Sequence, residues 1–248
     1  MFTVVGAPLI VAHGFHGFYR RSRSTNNSFF TLTALLAFFC LIYFLPPKSL
    51  FITTVVALVS QVLFVIHFSI DELFFEKKPL SLKVLPEILV LPFAILALHL
   101  QNHKFWGFLF LVFSLAALII SLASAEKRFN RTRRQLSLLS ILILVLFFGK
   151  FQGAASVIIT YTALVHFLDW YEYSVRNSNS GQGKSLGEIL AFLIPIQILG
   201  AWYYFNTESA PFLAYIFDPH YIAIGIIWHV GWSLNIKSLQ ILPASSPR

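Results

Sequence analysis

The amino-acid sequence predicts an all-α fold, a polytopic transmembrane helical bundle of about nine spans, with the N-terminus outside and the C-terminus in the cytoplasm. Of the 248 residues, 57% are apolar and only 11% are charged, against about 25% charged residues in a soluble domain. Apolar segments of membrane-spanning length recur along the chain, and the basic residues between them alternate between many and few. These observations exclude a soluble globule and a disordered chain.

Nine segments have the length of a membrane span, since a helix needs about 20 mostly apolar residues to cross a bilayer. They are 2–19, 28–45, 50–70, 84–103, 105–125, 136–150, 153–172, 186–206 and 212–235. Pro46 and Pro47 end the second span, because proline does not continue a helix. The fourth and fifth spans nearly abut, which predicts a tight helical hairpin. The loops are short, so a single transmembrane domain over 1–248 is expected.

The basic residues of the loops predict the orientation. The odd-numbered loops and the C-terminal tail carry 15 Lys and Arg residues, and the even-numbered loops carry 3. Cytoplasmic loops of membrane proteins are enriched in Lys and Arg, so the odd-numbered loops are predicted to be cytoplasmic. The net charge of +8 is then an orienting signal on solvated residues, and no nucleic-acid partner is expected. An anionic-lipid site at 127–134 is the alternative interpretation of the densest cluster.

Ionisable side chains at membrane depth are costly and often mark a functional site. The predicted spans place most of them in the cytoplasmic half of the bilayer: His13, His16, His67, Asp71, Glu72, His166, Asp169, Glu172 and His229. His220 is predicted near mid-membrane, out of phase with His229 unless Pro219 kinks the ninth span. His99 and His103 fall at the outer end of the fourth span and are interpreted as an interface pair beside Trp106.

Spacing within the helices groups these side chains into pairs. The pairs that share a helix face are His13 with His16, His67 with Asp71, and His166 with Asp169. Several neutral imidazoles that converge in an apolar layer suit a divalent transition metal, with the carboxylates as ligands or as partners that orient a ring. The alternatives are helix–helix hydrogen bonds for single histidines, and interfacial, solvated positions for Asp71, Glu72 and Glu172.

Four of these segments resemble, in the same order, the Brp/Blh family of membrane carotenoid-cleaving oxygenases. The segment 66–72, IHFSIDE, is similar to a W-H-F-G-x-x-D-like block of that family. Three shorter segments look like its P-H-G, W-H-S and P-H blocks, namely 12–14, 165–167 and 219–220. The resemblance covers about 25 residues on the first, third, seventh and ninth predicted spans.

This resemblance implies an oxidoreductase of the cell membrane (the inner membrane in a bacterium), a non-haem Fe2+ dioxygenase. Its substrates would be molecular oxygen and a hydrophobic carotenoid, with β-carotene cut at its central double bond to give two retinals. The resemblance implies His13, His67, His166 and His220 as iron ligands and Asp71 as a supporting partner, with no catalytic residue beyond the ligands. Depth and spacing add His16, Asp169 and His229 as further candidates. The aromatic residues expected to hold the polyene are Tyr161, Trp170, Tyr203 and Trp228.

Other functions use similar residues. A zinc-dependent membrane lipid-amide hydrolase, of the ceramidase or adiponectin-receptor kind, would place Ser60 and His67 on one span as a water-holding pair. A b-type haem electron-transfer protein would need two histidines facing each other across one iron. A proton-coupled transporter could use His, Asp and Glu as a relay, although no inverted repeat is visible. Desaturases need boxes of adjacent histidines, which this sequence lacks.

Overall fold

The computed structural model describes residues 49–76, 81–123, 131–176, 186–206 and 213–241, together with a few isolated positions before residue 49. The predicted spans 2–19 and 28–45 fall almost wholly outside the described residues, and so do His13 and His16. Every regular element in the described ranges is helical, as the composition predicts.

The described ranges contain eight α-helices. They are α1 (Leu50–Phe75), α2 (Leu85–His99), α3 (Lys104–Ala123), α4 (Arg131–Phe148), α5 (Ala154–Arg176), α6 (Leu186–Phe205), α7 (Ala214–Phe217) and α8 (Pro219–Ile241). A 3-10 turn, Leu82–Val84, leads into α2. Four of these helices are long and apolar enough to cross a membrane: α1, α2 with its leading turn, α3 and α6. This finding is consistent with a membrane location.

The predicted ninth span, 212–235, differs from the observed structure. The helix breaks at Asp218, and Pro219 is the first residue of α8, a position where its missing N–H costs nothing. The Asp218 Oδ1 accepts a hydrogen bond of 2.9 Å from the backbone N–H of His220, as a residue before a helix start commonly does. Pro219 therefore begins a helix and does not kink one. His220 lies in the first turn of α8, not in the middle of a span.

The chain forms two compact units, of which one comprises residues 61–162 and 230–248. In this unit α2 packs against both α3 and α4. The hydroxyl of Ser114 on α3 donates to the carbonyl of Val90 on α2 at 2.8 Å. Four residues separate α2 from α3, which is the hairpin that the abutting spans predict. Gly107 lets the two helices meet, because a Cβ atom there would lie 2.5 Å from the Leu100 carbonyl oxygen.

The other compact unit comprises residues 1–60 and 163–229. Its described core includes a cluster of Val56, Ala223 and Ile224, which joins α1 to α8. A second cluster, Leu213 with Phe217, packs against Tyr203 of α6. Both clusters lie close to the start of α8 and hold that helix end in place.

Candidate metal centre

One turn near the end of α1 carries an imidazole and a carboxylate side by side. His67 Nε2 and Asp71 Oδ2 are 3.5 Å apart, and the two side chains are 2% and 0% exposed. The i,i+4 spacing puts both residues on one helix face, and the neighbouring Val65 and Phe68 are buried with them. A carboxylate next to an imidazole fixes the orientation of the ring and raises its basicity as a ligand.

A second set of buried polar side chains lies on α5 and α8. His166 and Asp169 of α5 are both buried, and His220 of α8 is 5% exposed. His229 of α8 is partly buried. The Trp170 ring stands edge-on to the His166 ring, with 6.5 Å between the centroids. This set lies in one compact unit and has the predicted imidazole-rich character.

Each unit offers its own candidate metal-binding side chains. His67 and Asp71 are a buried imidazole and carboxylate of one unit, and His166 is a buried imidazole of the other. Metal bonds of about 2.0–2.2 Å place two ligands of one ion up to about 4 Å apart, and the 3.5 Å between His67 Nε2 and Asp71 Oδ2 falls within that range. Imidazoles and carboxylates are the donors of non-haem Fe2+ oxygenases, and zinc hydrolases use the same donor types.

The other predicted site residues have different positions. Asp169, His220 and His229 belong to the same compact unit as His166. His99 Nε2 is 2.8 Å from the side-chain oxygen of Gln61, so this contact joins α2 to α1. Gln61 precedes His67 by six residues, or about 9 Å of helix. The His99 ring therefore has a structural partner of its own.

The candidate residues for binding a polyene also differ in their surroundings. Trp170 has an edge-on ring contact with His166. Tyr203 stacks on Phe217 at 5.9 Å, Tyr161 is 40% exposed, and Trp228 is partly buried. The hydroxyl of Ser60, the residue of the hydrolase alternative, donates to the carbonyl of Ala57 at 2.8 Å.

Sequence reasoning missed a charged network at the start of α4. Arg133 contacts the Glu87 carboxylate through both Nε and Nη2, at 3.1 and 3.0 Å, and both side chains are buried. Arg131 pairs with Glu72 at 3.7 Å. A solvated position was one of the alternatives for Glu72, and it was the prediction for Arg133. Both are wrong, because the two side chains are buried. The i,i+4 spacing of Glu72 and Glu76 was the available signal.

Comparison with known proteins gives no match, since no protein-family model, curated protein or solved structure is similar to this chain. The interpretation of the site therefore rests on its own residues. Their burial and donor types decide which chemistry they suit.

Proposed function

We propose that this protein is a membrane-embedded, iron-dependent oxygenase that cleaves the central double bond of a carotenoid such as β-carotene. The observation that carries the proposal is the buried pair of His67 and Asp71, whose ring nitrogen and carboxylate oxygen are 3.5 Å apart. Ionisable side chains are rare inside apolar helical proteins and usually have a function there. The resemblance of the segments around His67 and His166 to the Brp/Blh family points to the same chemistry.

The donor set suits Fe2+. Two imidazoles and one carboxylate leave coordination positions open, and iron in such a set supplies the activation of molecular oxygen. The residues of the chain have their own tasks. Asp71 orients the His67 ring through the contact between them. Val65 and Phe68, which flank His67 in sequence and are almost fully buried, provide apolar surroundings that would keep water from the reacting groups.

The surroundings of His67 and Asp71 support the proposed substrate class. A carotenoid is a C40 hydrocarbon that dissolves in the bilayer core, so its enzyme needs ligands within apolar helices. α1, which carries His67 and Asp71, is apolar enough to span a membrane. The edge-on contact of Trp170 with His166 puts a flat aromatic surface beside a candidate ligand. Such a surface can hold a rigid polyene so that its middle, not its end, meets the metal.

The finer features of the fold belong to the same proposal. We propose nine spans in a multi-pass cell-membrane protein, with the N-terminus outside and the C-terminus in the cytoplasm. The support is the loop asymmetry in Lys and Arg. His13 and His220 complete the iron ligands in this proposal, as the family resemblance implies.

A zinc-dependent hydrolase of lipid amides is the second candidate function, because the same donor types bind zinc in hydrolases. The metal distinguishes the two functions. Purified protein that contains iron and shows no Soret band supports the oxygenase, zinc supports the hydrolase, and a Soret band identifies a b-type haem protein.

The direct experiment is expression in bacteria that make β-carotene but no retinal. We expect loss of the orange colour and formation of retinal, and we expect His67→Ala and His166→Ala to abolish both. His99→Ala is the control, since His99 is an exposed histidine of α2 with a separate partner in Gln61, and it should keep the activity. Persistent colour with a folded, iron-loaded protein would show that β-carotene is not the substrate.

A further inference from the structure

Three carboxylates hold the first turn of α4. Glu72 pairs with Arg131 at 3.7 Å, and the Glu76 Oε1 accepts a hydrogen bond of 2.9 Å from the backbone N–H of Thr132. Glu87, in the first turn of α2, binds Arg133. We call these three side chains, Glu72, Glu76 and Glu87, the carboxylate anchor. All the residues involved belong to one compact unit.

Two members of the carboxylate anchor lie at the end of α1, close in sequence to the candidate ligands. Glu72 directly follows Asp71, and Glu76 is the residue just after the last residue of α1. Both bind α4, so the two contacts restrain how far the end of α1 can rotate or slide. Unwinding of this turn would move the Asp71 carboxylate away from the His67 ring, because the two residues share one face only while the helix between them is intact.

We propose that Glu72 and Arg131 are positioning residues for the metal centre. Their ion pair keeps the last turns of α1 in the orientation that points Asp71 at His67, and it does so without touching the metal. This inference rests on the proposed function, since it takes His67 and Asp71 as metal ligands. Residues that orient a ligand from outside the coordination sphere change metal affinity by about 10- to 100-fold when replaced.

The third member of the carboxylate anchor provides the control. Glu87 and Arg133 are buried and hold the same turn of α4, but they connect it to α2 and not to the ligand-bearing turn of α1. Loss of this pair loosens the packing of α2 against α4. The ligand-bearing turn of α1 keeps its own contacts through Glu72 and Glu76. If all three carboxylates had only a structural role, replacing any one of them would have the same effect on Co2+ binding.

The test is a Co2+ titration of the purified full-length protein, in which the visible d–d absorption reports the ligand geometry. We expect Arg131→Ala and Glu72→Gln each to weaken Co2+ binding by about 10- to 100-fold and to shift the bands. The double variant should bind Co2+ with about the same affinity as the single variant that binds it more weakly, because the two residues act as one unit. Arg131→Lys, which keeps the charge, should restore part of the affinity.

Glu87→Gln should lower the thermal unfolding midpoint and leave the Co2+ spectrum unchanged. Unchanged spectra in the Arg131 and Glu72 variants, or an equal shift in Glu87→Gln, would overturn the inference. A wild-type protein that binds no Co2+, or a His67→Ala variant that binds it as well as wild type, would instead overturn the proposed metal centre and this inference with it.

Discussion

At the scale of single residues, Asp71 carries the most information. Its side chain is fully buried beside the imidazole of His67, and a buried carboxylate needs a partner that offsets its loss of hydration. A nearby imidazole and a bound cation together would provide one. The same charge that lowers the stability of the metal-free protein then becomes a strong ligand when the metal is present.

Asp71→Asn separates these two effects. The amide has nearly the same shape but no charge, so we expect the metal affinity to fall about 10- to 100-fold, while the metal-free protein becomes no less stable. Metal analysis and thermal unfolding with a chelator measure the two quantities. Glu172→Gln is the control, since Glu172 is half-exposed and paired with Arg176. A stable Asp71→Asn protein with unchanged metal content would remove Asp71 from the ligand set.

The sequence indicates candidate residues, but it does not indicate what surrounds them. His67, Asp71 and His166 were all candidates from spacing and depth, because an i,i+4 or i,i+3 relation is a property of one helix. The burial of Glu72 and Arg133 was not predictable in the same way. It depends on carboxylates from α1 and α2 that meet α4 in space, and hydropathy treats each charged residue as solvated.

At the scale of elements, α4 shows the same limit. The predicted span 136–150 begins five residues after Arg131, where α4 starts, because a polar first turn does not look like part of an apolar span. The division of 212–235 at Asp218 was also missed. An Asp-Pro pair can end one helix and cap the next, and periodicity alone does not tell this from a kink.

The Glu87–Arg133 pair gives a prediction about the packing of α2 and α4. Arg133→Met alone leaves the Glu87 carboxylate buried without its guanidinium, and we expect a loss of about 3–5 kcal/mol in the free energy of unfolding. Combining it with Glu87→Leu should recover most of that loss, since apolar replacement of both partners is often neutral. Denaturation of the single and double variants in mild detergent measures this. A double variant as unstable as Arg133→Met alone would contradict it.

The α2–α3 hairpin gives a second prediction at this scale. A Cβ atom at Gly107 would lie 2.5 Å from the Leu100 carbonyl oxygen, and a backbone atom cannot move aside cheaply. Gly107→Ala should therefore cost about 1–3 kcal/mol, the usual range for overpacking. Ala116→Leu, at an exposed position of the same helix, should change the unfolding midpoint little. Equal midpoints for Gly107→Ala and wild type would mean that the hairpin is looser than the structure shows.

At the scale of the whole molecule, composition sets the class of protein before any motif is considered. Four described helices have the length and hydropathy of a membrane span, while α4, α5 and α8 carry more polar residues. Those polar residues include His166 of α5, His220 of α8 and the Arg residues of α4, whereas His67 and Asp71 lie on α1, which is one of the four. The candidate ligands therefore lie on both kinds of helix.

The orientation of the chain is the last prediction. Loops with many Lys and Arg residues resist export and stay in the cytoplasm, so Lys127 should be cytoplasmic, while Lys48 and Lys104, each alone in its loop, should be outside. The native Cys40 is first replaced by Ser, and a single cysteine is then placed at each position in turn. In intact cells, a membrane-impermeant maleimide should label cysteines at 48 and 104, and should label one at 127 only after the cells are opened. Detergent-solubilised samples control for reactivity at each position. Labelling at 127 in sealed cells would reverse the proposed topology, and the candidate metal centre would then face the outer half of the membrane.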